Sequence, residues 1–188
     1  MTESRKKTDT SFLTDVKTLR ARARKQIEDG VLTPSYGLDA GVAVELLNTA
    51  LATELICVLR YRQHSLVATG IEAEPIAAEF LVHSNEELAH ADLIARRIVQ
   101  LGGTPQMDPA GLSDRSHAEY VTCDALEDMI RENLVAERIA IDSYRDMVRY
   151  LGDKDPTTSV LLKQILAVEE EHADELADLL EGMPAHGA

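Results

Sequence analysis

Hydrophobic side chains recur at steps of three and four residues along four long stretches of the chain, with charged residues between them. That spacing places the apolar positions on one face of a helix and predicts four amphipathic helices. Helix start and stop signals bound them at about 41–69, 75–101, 125–151 and 156–181. Asp39 is the expected cap of the first helix, and Asp124 with Glu127 matches a capping box at the start of the third.

Two connections between these helices are short and one is long. Short connections join antiparallel neighbours, whereas residues 102–124 are enough to run the length of a helix. We therefore predict an all-α fold, a four-helix bundle with a long crossover between helices two and three. Apolar residues at helical spacing from Phe12 to Ile27 predict an additional N-terminal helix. The expected organisation is a basic N-terminal arm or helix over 1–37, the bundle over 38–182 and a short tail over 183–188.

The composition agrees with a soluble helical protein. Aromatic residues make up only 4% of the chain, and charges interrupt the apolar runs before they reach the roughly 18 residues of a membrane span. The two cysteines, Cys57 and Cys123, lack CxxC spacing and fit a reducing compartment. The polar N-terminus shows no secretory signal. We therefore expect a cytoplasmic protein without a membrane partner.

The net charge of -14 is unevenly distributed. Residues 1–30 carry a net charge of +3, so the remainder of the chain carries -17. An acidic body attracts cations and repels nucleic acid, while a basic arm can contact a phosphate backbone. Residues 1–30 are thus a candidate DNA-binding segment, and a solvated helical tail is the plainer interpretation.

Each of the four predicted helices carries a glutamate in the middle of its apolar face; these are Glu54, Glu87, Glu137 and Glu169. Burying a carboxylate is costly unless a cation compensates it. The apolar faces contain no Lys or Arg, so metal ions are the remaining compensation. Four carboxylates carry a charge of -4 and balance two divalent cations.

Helices two and four each carry an E-x-x-H motif, Glu87 with His90 and Glu169 with His172. These motifs begin 33 and 32 residues after the lone glutamates of helices one and three. Each lone glutamate is also followed seven residues later by a tyrosine, Tyr61 or Tyr144. The two halves thus repeat one another and predict a metal site with near two-fold symmetry. Carboxylates with one imidazole per metal favour iron or manganese, and ligand type alone does not exclude zinc.

The acidic run VEEEH, which ends at His172, leaves open which glutamate faces that histidine. On a helix, Glu169 lies about 60° from His172, whereas the next two glutamates lie about 160° and 100° away. Helix two has a similar ambiguity between Glu86 and Glu87. Because Val168 occupies the place of Glu86 in helix four, only the Glu87 and Glu169 register is common to both helices.

These residues, Glu54, EELAH at 86–90, VAERIAIDSY with Glu137, and EEEH at 169–172, resemble the ferritin-like di-iron carboxylate family and are most similar to bacterioferritin. The resemblance covers about residues 40–181. It implies that Glu87 and Glu169 bridge two iron ions. The other implied ligands are Glu54, Glu137, His90 and His172. It further implies a ferroxidase that oxidises Fe(II) with O2 or H2O2 and stores the ferric product in a hollow shell.

Other residues bear on haem binding, shell size and subtype. Leu88 stands where the haem-ligating Met of that family follows the first bridging glutamate, so we expect no haem. The chain lacks the fifth helix of 24-subunit ferritins, and its basic N-terminal extension resembles dodecameric Dps-type proteins, so the expected cage has 12 or 24 identical subunits. Ile139 occupies a place where Dps-like proteins with a bacterioferritin-type centre often carry a cysteine, which argues against that subtype.

Three neighbours of the predicted site have alternative interpretations. Tyr61 is either a partner or electron donor of the catalytic centre or an ordinary core tyrosine. His83, one turn before Glu87, is either a supporting core histidine or an additional ligand. Cys57 is interpreted as a small buried hydrophobe. A rubrerythrin-like di-iron peroxidase is the alternative enzyme, weakened by the lack of rubredoxin-type CxxC pairs.

Overall fold

The computed structural model describes residues 13–70 and 73–183, which form helices and loops without a strand. The contacts divide the chain into two units between Tyr36 and Gly37. In the first unit, helix α1 spans Val16–Arg22 and a 3-10 turn spans Ile27–Asp29. The predicted N-terminal helix is therefore shorter than its apolar spacing indicated, and Phe12 lies outside the described residues. No residue of α1 is buried, and a short helix without a packed face has little to stabilise it.

The second unit contains the predicted four-helix bundle. In chain order its helices are α2 (Ala40–Val67), α3 (Ala73–Gln100), the short α4 (Leu112–Arg115), α5 (Leu126–Leu151) and α6 (Pro156–Gly182). Helix α2 packs along α3 and α5 packs along α6, while contacts of α2 with α5 and of α3 with α6 close the bundle. The long connection joins α3 to α5, as the loop lengths predicted.

Side-chain caps explain where two of the long helices begin. Asp39 and Asp155 accept hydrogen bonds from backbone amides at the starts of α2 and α6. The predicted capping box at the start of α5 is wrong. The cap residue there is Ala125, whose side chain cannot accept a hydrogen bond, and Asp124 lies one residue too early.

The crossover contains two short elements that the sequence pattern did not indicate, α4 and a 3-10 turn over Pro109–Gly111. Leu112 of α4 is buried with Ala52 and Ile56 of α2. The side chain of Asn48 also hydrogen-bonds two backbone groups of the crossover. The crossover is thereby attached to α2, and its helix is too short to produce a readable periodicity.

Helix α2 is the one helix of the described residues that is long and apolar enough to cross a membrane, with a mean hydropathy of 1.8 over its most apolar window. Charged residues nevertheless interrupt its apolar runs, as the sequence indicated, at Glu45, Glu54 and Arg60. In addition, 56% of that window is buried inside the protein. A core helix of a bundle passes the same test of length and composition, because it too is apolar over much of its surface.

Candidate metal centre

The four predicted glutamates and both predicted histidines come together in the middle of the bundle. Helices α2 and α5 each supply one glutamate, and α3 and α6 each supply a glutamate and a histidine. The five most buried of the six residues are at most 1% exposed, and His90 is 6% exposed. The spacing on each helix face thus brings four carboxylates and two imidazoles together in the core of the bundle.

The six residues form two overlapping groups of candidate ligands, Glu54, Glu87, His90, Glu169 and Glu87, Glu137, Glu169, His172. Within each group, one ligand atom of every residue lies within 4.8 Å of the others. Glu87 and Glu169 belong to both groups. The arrangement therefore offers two adjoining four-ligand positions that share two carboxylates.

Both histidines face this centre through Nδ1. The Nδ1 of His90 lies 3.0 Å from Oε1 of Glu169 and 3.2 Å from Oε2 of Glu54, and that of His172 lies 3.3 Å from Oε1 of Glu87. The buried atoms without a hydrogen bond of acceptable geometry include both Nδ1 atoms, Glu54 Oε2, Glu87 Oε1, Glu137 Oε2 and both oxygens of Glu169. Such orphaned groups are rare in proteins, and metal ions fit this set of carboxylate and imidazole donors.

Crowding of the carboxylates changes their affinity for protons. Burial raises the pKa of Glu87 and of Glu169 well above the usual range, and the charges of the neighbouring glutamates add to this effect. For Glu54, burial also favours the neutral form, but contacts with His90, Glu87 and Tyr144 together outweigh it and lower the pKa. Burial opposes the charged form of His90, yet contacts with Glu169, Glu54 and Glu87 raise its pKa to about 12. Without a metal ion, the centre therefore retains protons.

Two buried tyrosines hold the lone glutamates across the bundle. Tyr61 of α2 donates a hydrogen bond to Glu137 of α5, and Tyr144 of α5 donates one to Glu54 of α2. Burial, followed by the charge of the bonded glutamate, raises the pKa of both tyrosines well above the usual range. Both hydroxyls therefore stay protonated as donors. The sequence repeat indicated the pair of tyrosines but not this crossed pairing.

Sequence reasoning missed the position of Glu86. Its Oε2 lies 2.8 Å from Nε2 of His172 on the facing helix α6. A carboxylate on the second nitrogen of a metal-binding histidine fixes the orientation of the ring. The helical register argument compared Glu86 only with the histidine of its own helix, so it could not show a contact to α6.

The three glutamates before His172 point in different directions, as helix geometry predicted. Glu169 is fully buried, whereas Glu170 is exposed and pairs with Arg145 on α5. Glu171 is also exposed. Only the first of the three glutamates therefore contributes to the buried centre.

His83 and Cys57 lie beside the centre without entering either ligand group. The ring of His83 stacks on that of His172, with centroids 4.1 Å apart, and its Nε2 contacts Glu79 and Glu175. Cys57 is 2% exposed and packs in an apolar cluster with Tyr61. Burial raises the pKa of its thiol well above the usual value, so the side chain packs as a small neutral hydrophobe.

Two buried arginines were not expected from the apolar faces. Arg60 is 1% exposed and donates hydrogen bonds to Asn133 and to the carbonyl of Glu119. Arg97 pairs with Asp155 near the start of α6. The hydrogen bonds of both guanidinium groups are directed to these other partners, so the charge of the four glutamates is left for a different cation.

The fold agrees with the comparison with known protein families. The ferritin-like domain matches residues 44–185, and the chain belongs to the ferritin-like family. The match covers the bundle and all six residues of the centre. The predicted family resemblance is therefore confirmed.

Two relatives illustrate where in the family the chain lies. It is 32% identical over 162 residues to the DNA protection during starvation protein of Pyrococcus furiosus, covering 82% of this chain and 85% of that protein. It is also 30% identical over 145 residues to a bacterioferritin of Mycobacterium tuberculosis, covering 77% of this chain and 87% of that protein. The chain is thus similar to both branches that its sequence resembled.

Solved structures give the same picture. A bacterioferritin-related protein of Bacteroides fragilis, described as a dodecameric thioferritin, is 35% identical and superposes with a TM-score of 0.74 over 77% of this chain and 88% of that one. The Dps protein of Thermosynechococcus elongatus superposes with a TM-score of 0.73 over 79% and 96% of the two chains, and its 18% identity shows the fold alone.

Proposed function

We propose that this chain is a ferroxidase subunit of a homo-oligomeric iron-storage shell. Fe(II) is its substrate, O2 or H2O2 is the oxidant, and the ferric product is stored. The observation that carries the proposal is the pair of overlapping, buried ligand groups with orphaned carboxylate and imidazole atoms. Membership of the ferritin-like family and the similarity to a bacterioferritin support it.

In this proposal, Glu87 and Glu169 bridge two Fe(II) ions, because they alone belong to both ligand groups. Each ion has one further glutamate and one histidine, Glu54 with His90 or Glu137 with His172. Four carboxylates and two neutral imidazoles balance the charge of two divalent cations, and oxygen ligands accommodate both oxidation states of iron. The hydroxyls of Tyr61 and Tyr144 orient the two lone glutamates.

The paired geometry suits a two-electron reaction. Two Fe(II) ions supply two electrons, which together with two protons reduce one H2O2 to two water molecules. Supplying both electrons from one site avoids the one-electron step that would release hydroxyl radical. The protons that Glu87 and Glu169 retain in the metal-free protein leave when Fe(II) binds, because metal ligands must be deprotonated.

We also infer that the protein is a cytoplasmic cage of 12 or 24 identical subunits without haem. The description of one structural relative as a dodecameric thioferritin supports a closed homo-oligomer. Leu88, which is 44% exposed, stands in the place of the haem-ligating Met of bacterioferritin and has no thioether to bind haem. Native mass together with iron content per assembly tests this inference. A small oligomer that accumulates no mineral would instead favour a rubrerythrin-like peroxidase.

The activity is tested by adding Fe(II) aerobically to the metal-free protein and following ferric absorbance by stopped flow. We expect a rapid phase in the native protein and its loss in the Glu87→Ala variant. Glu171→Ala is the matched control, because it removes an exposed glutamate from the acidic run beside the centre. Equal fast phases in Glu87→Ala and the native protein would refute the assignment.

DNA binding through residues 1–30 is a second candidate function. In the described part of this segment, Lys17, Arg20, Arg22 and Lys25 are all exposed, and exposed cations can neutralise phosphates. The relative named DNA protection during starvation protein adds support. Deletion of residues 1–30 should abolish a salt-sensitive DNA mobility shift while the assembly stays intact. A shift that survives the deletion would refute this role.

A further inference from the structure

A third group of candidate ligands lies outside the six-residue centre. It consists of Glu79 and His83 on α3 and Glu175 on α6, whose ligand atoms lie within 4.8 Å of one another. The Nε2 atom of His83 is 2.9 Å from Oε2 of Glu175 and 3.4 Å from Oε1 of Glu79. Two facing helices thus direct two carboxylates at one imidazole nitrogen.

The charges in this group suit a divalent cation. The His83 side chain is fully buried, whereas the side chains of Glu79 and Glu175 are 38% and 45% exposed. A single Nε2–H can donate one strong hydrogen bond, but two carboxylates compete for it. A divalent cation bound by a neutral Nε2 and both carboxylates would satisfy all three groups and balance their charge of -2.

The group is open to solvent on one side. A surface cavity of about 670 Å³ is lined by Glu79, Glu175 and Asp178, together with apolar residues such as Ile76 and Leu179. The cavity leaves room for water molecules to complete the coordination of a cation. The carboxylate of Asp178 adds further negative charge at its wall, which raises the local concentration of cations.

We propose that Glu79, His83 and Glu175 bind a third divalent cation, of the class Fe²⁺, Mn²⁺, Co²⁺ or Zn²⁺, at the surface of the bundle. The ring of His83 stacks on His172 at a centroid distance of 4.1 Å and an interplanar angle of 18°. The third site therefore lies one side chain away from the buried centre. This position suits a holding site for cations on their way to the centre, a role that rests on the proposed function.

Binding is tested by anaerobic Co²⁺ titration of the metal-free protein, with the bound metal counted after gel filtration. We expect three ions per chain in the native protein and two in the Glu79→Gln/Glu175→Gln variant. The control Glu45→Gln/Glu171→Gln makes the same charge change at exposed positions and should keep three. Two ions in the native protein, or three in Glu79→Gln/Glu175→Gln, would overturn the site.

A second variant makes this test independent of the buried centre. Glu54→Ala/Glu137→Ala removes one ligand from each of the two buried positions, so it should keep the single ion at His83. Anomalous scattering from Co²⁺ in crystals of this variant should locate that ion between Glu79, His83 and Glu175. No peak there would refute the third site, while a peak there supports it even if the protein lacks ferroxidase activity.

The holding role is tested separately by stopped flow with limiting Fe(II). If the third site collects cations for the centre, Glu79→Gln/Glu175→Gln should slow the initial oxidation rate by roughly tenfold, since focused negative charge accelerates association by at least this factor. Glu45→Gln/Glu171→Gln should oxidise Fe(II) at the native rate. An unchanged rate in both variants would overturn the holding role.

Discussion

The two helical hairpins of the bundle, α2 with α3 and α5 with α6, supply matching halves of one centre. Each contributes a lone glutamate, an E-x-x-H motif and a tyrosine that hydrogen-bonds the opposite lone glutamate. Where the hairpins agree, the residues face each other in the buried middle of the bundle. This agreement is what a two-metal site with shared bridging carboxylates requires.

The hairpins differ just beyond these residues. Helix α3 carries Glu79, His83 and Glu86, whereas the residues 82 positions later on α6 are Leu161, Ile165 and Val168. Glu86 of α3 therefore contacts the outer nitrogen of His172, whereas Val168, at the matching place on α6, cannot make such a contact to His90. Glu79 and His83 of α3 also form a polar cluster with Glu175 of α6 near the surface. The two hairpins are thus alike at the centre itself and differ in the residues around it.

The largest expected effect concerns the shared part of the hairpins. Glu54→Ala and Glu137→Ala should each slow the fast phase of Fe(II) oxidation by more than about 100-fold. Each variant removes a direct metal ligand, and mutating residues that only support the ligands already lowers activity by up to about 100-fold. The two variants should lose activity to a similar degree. Stopped-flow absorbance measures both rates. A large loss in one half with normal activity in the other would contradict the symmetric centre.

A pH effect should follow from the protons held by the metal-free centre. Because the folded-state pKa values of Glu87 and Glu169 are raised, their neutral forms stabilise the fold at low pH, and this contribution is lost as the pH rises above the unfolded value of 4.5. His90, whose pKa is about 12, acts in the same direction above pH 6.5. We therefore expect the Tm of the metal-free protein to fall between pH 6 and 8, and the stabilisation by added Co²⁺ to grow.

The matched control for this pH effect is Glu87→Gln/Glu169→Gln, which keeps the shape of both side chains and removes their titration. Thermal unfolding at constant protein concentration should show a smaller decrease in the Tm of this metal-free variant. A native Tm that rises over the same pH range would show that the carboxylates are not protonated in the metal-free centre.

The asymmetric part of the hairpins should have a smaller effect. Glu86→Gln weakens the hold on the His172 ring, so Co²⁺ affinity at the centre should fall by about tenfold. Val168→Ala, at the matching place on α6, should leave the affinity nearly unchanged. Titration followed by the visible spectrum of Co²⁺ measures both. Equal affinities in the two variants would mean that Glu86 does not orient His172.

The smallest expected effect comes from the tyrosine hydroxyls. Tyr61→Phe and Tyr144→Phe each remove one buried hydrogen bond to a carboxylate, which should cost about 1 kcal/mol of unfolding free energy. Since the crossed pairs are equivalent, the two costs should be similar. Denaturant unfolding of the metal-free protein measures them. A cost confined to one tyrosine would show that the crossed pairing is not symmetric.

Much of the fold and of the buried centre could be predicted from the sequence because both follow local periodicity. The E-x-x-H spacing and the apolar face are properties of one helix, and the repeat between the halves selected Glu87 over Glu86 as the shared register. Helix geometry likewise predicted that Glu169 is buried while Glu170 is exposed. Each of these inferences needs only the 3.6-residue turn of a helix.

The features that the sequence did not reveal depend on contacts between helices. The bond from Glu86 to His172, the crossed tyrosine pairs and the cluster of His83 with Glu175 all join residues more than 75 positions apart. Arg60 and Arg97 were missed because their partners are likewise distant in the chain. The short α4 was missed because four residues show no period.

The central claim is that six buried residues hold two metal ions, and anomalous scattering at the iron edge tests it most directly. Crystals of the native protein soaked anaerobically with Fe(II) should show two peaks in the bundle core, about 3.5–4 Å apart. Both peaks should contact Glu87 and Glu169, and each should contact one of His90 and His172. The absence of peaks at this position, or a single ion there at saturating Fe(II), would contradict the account.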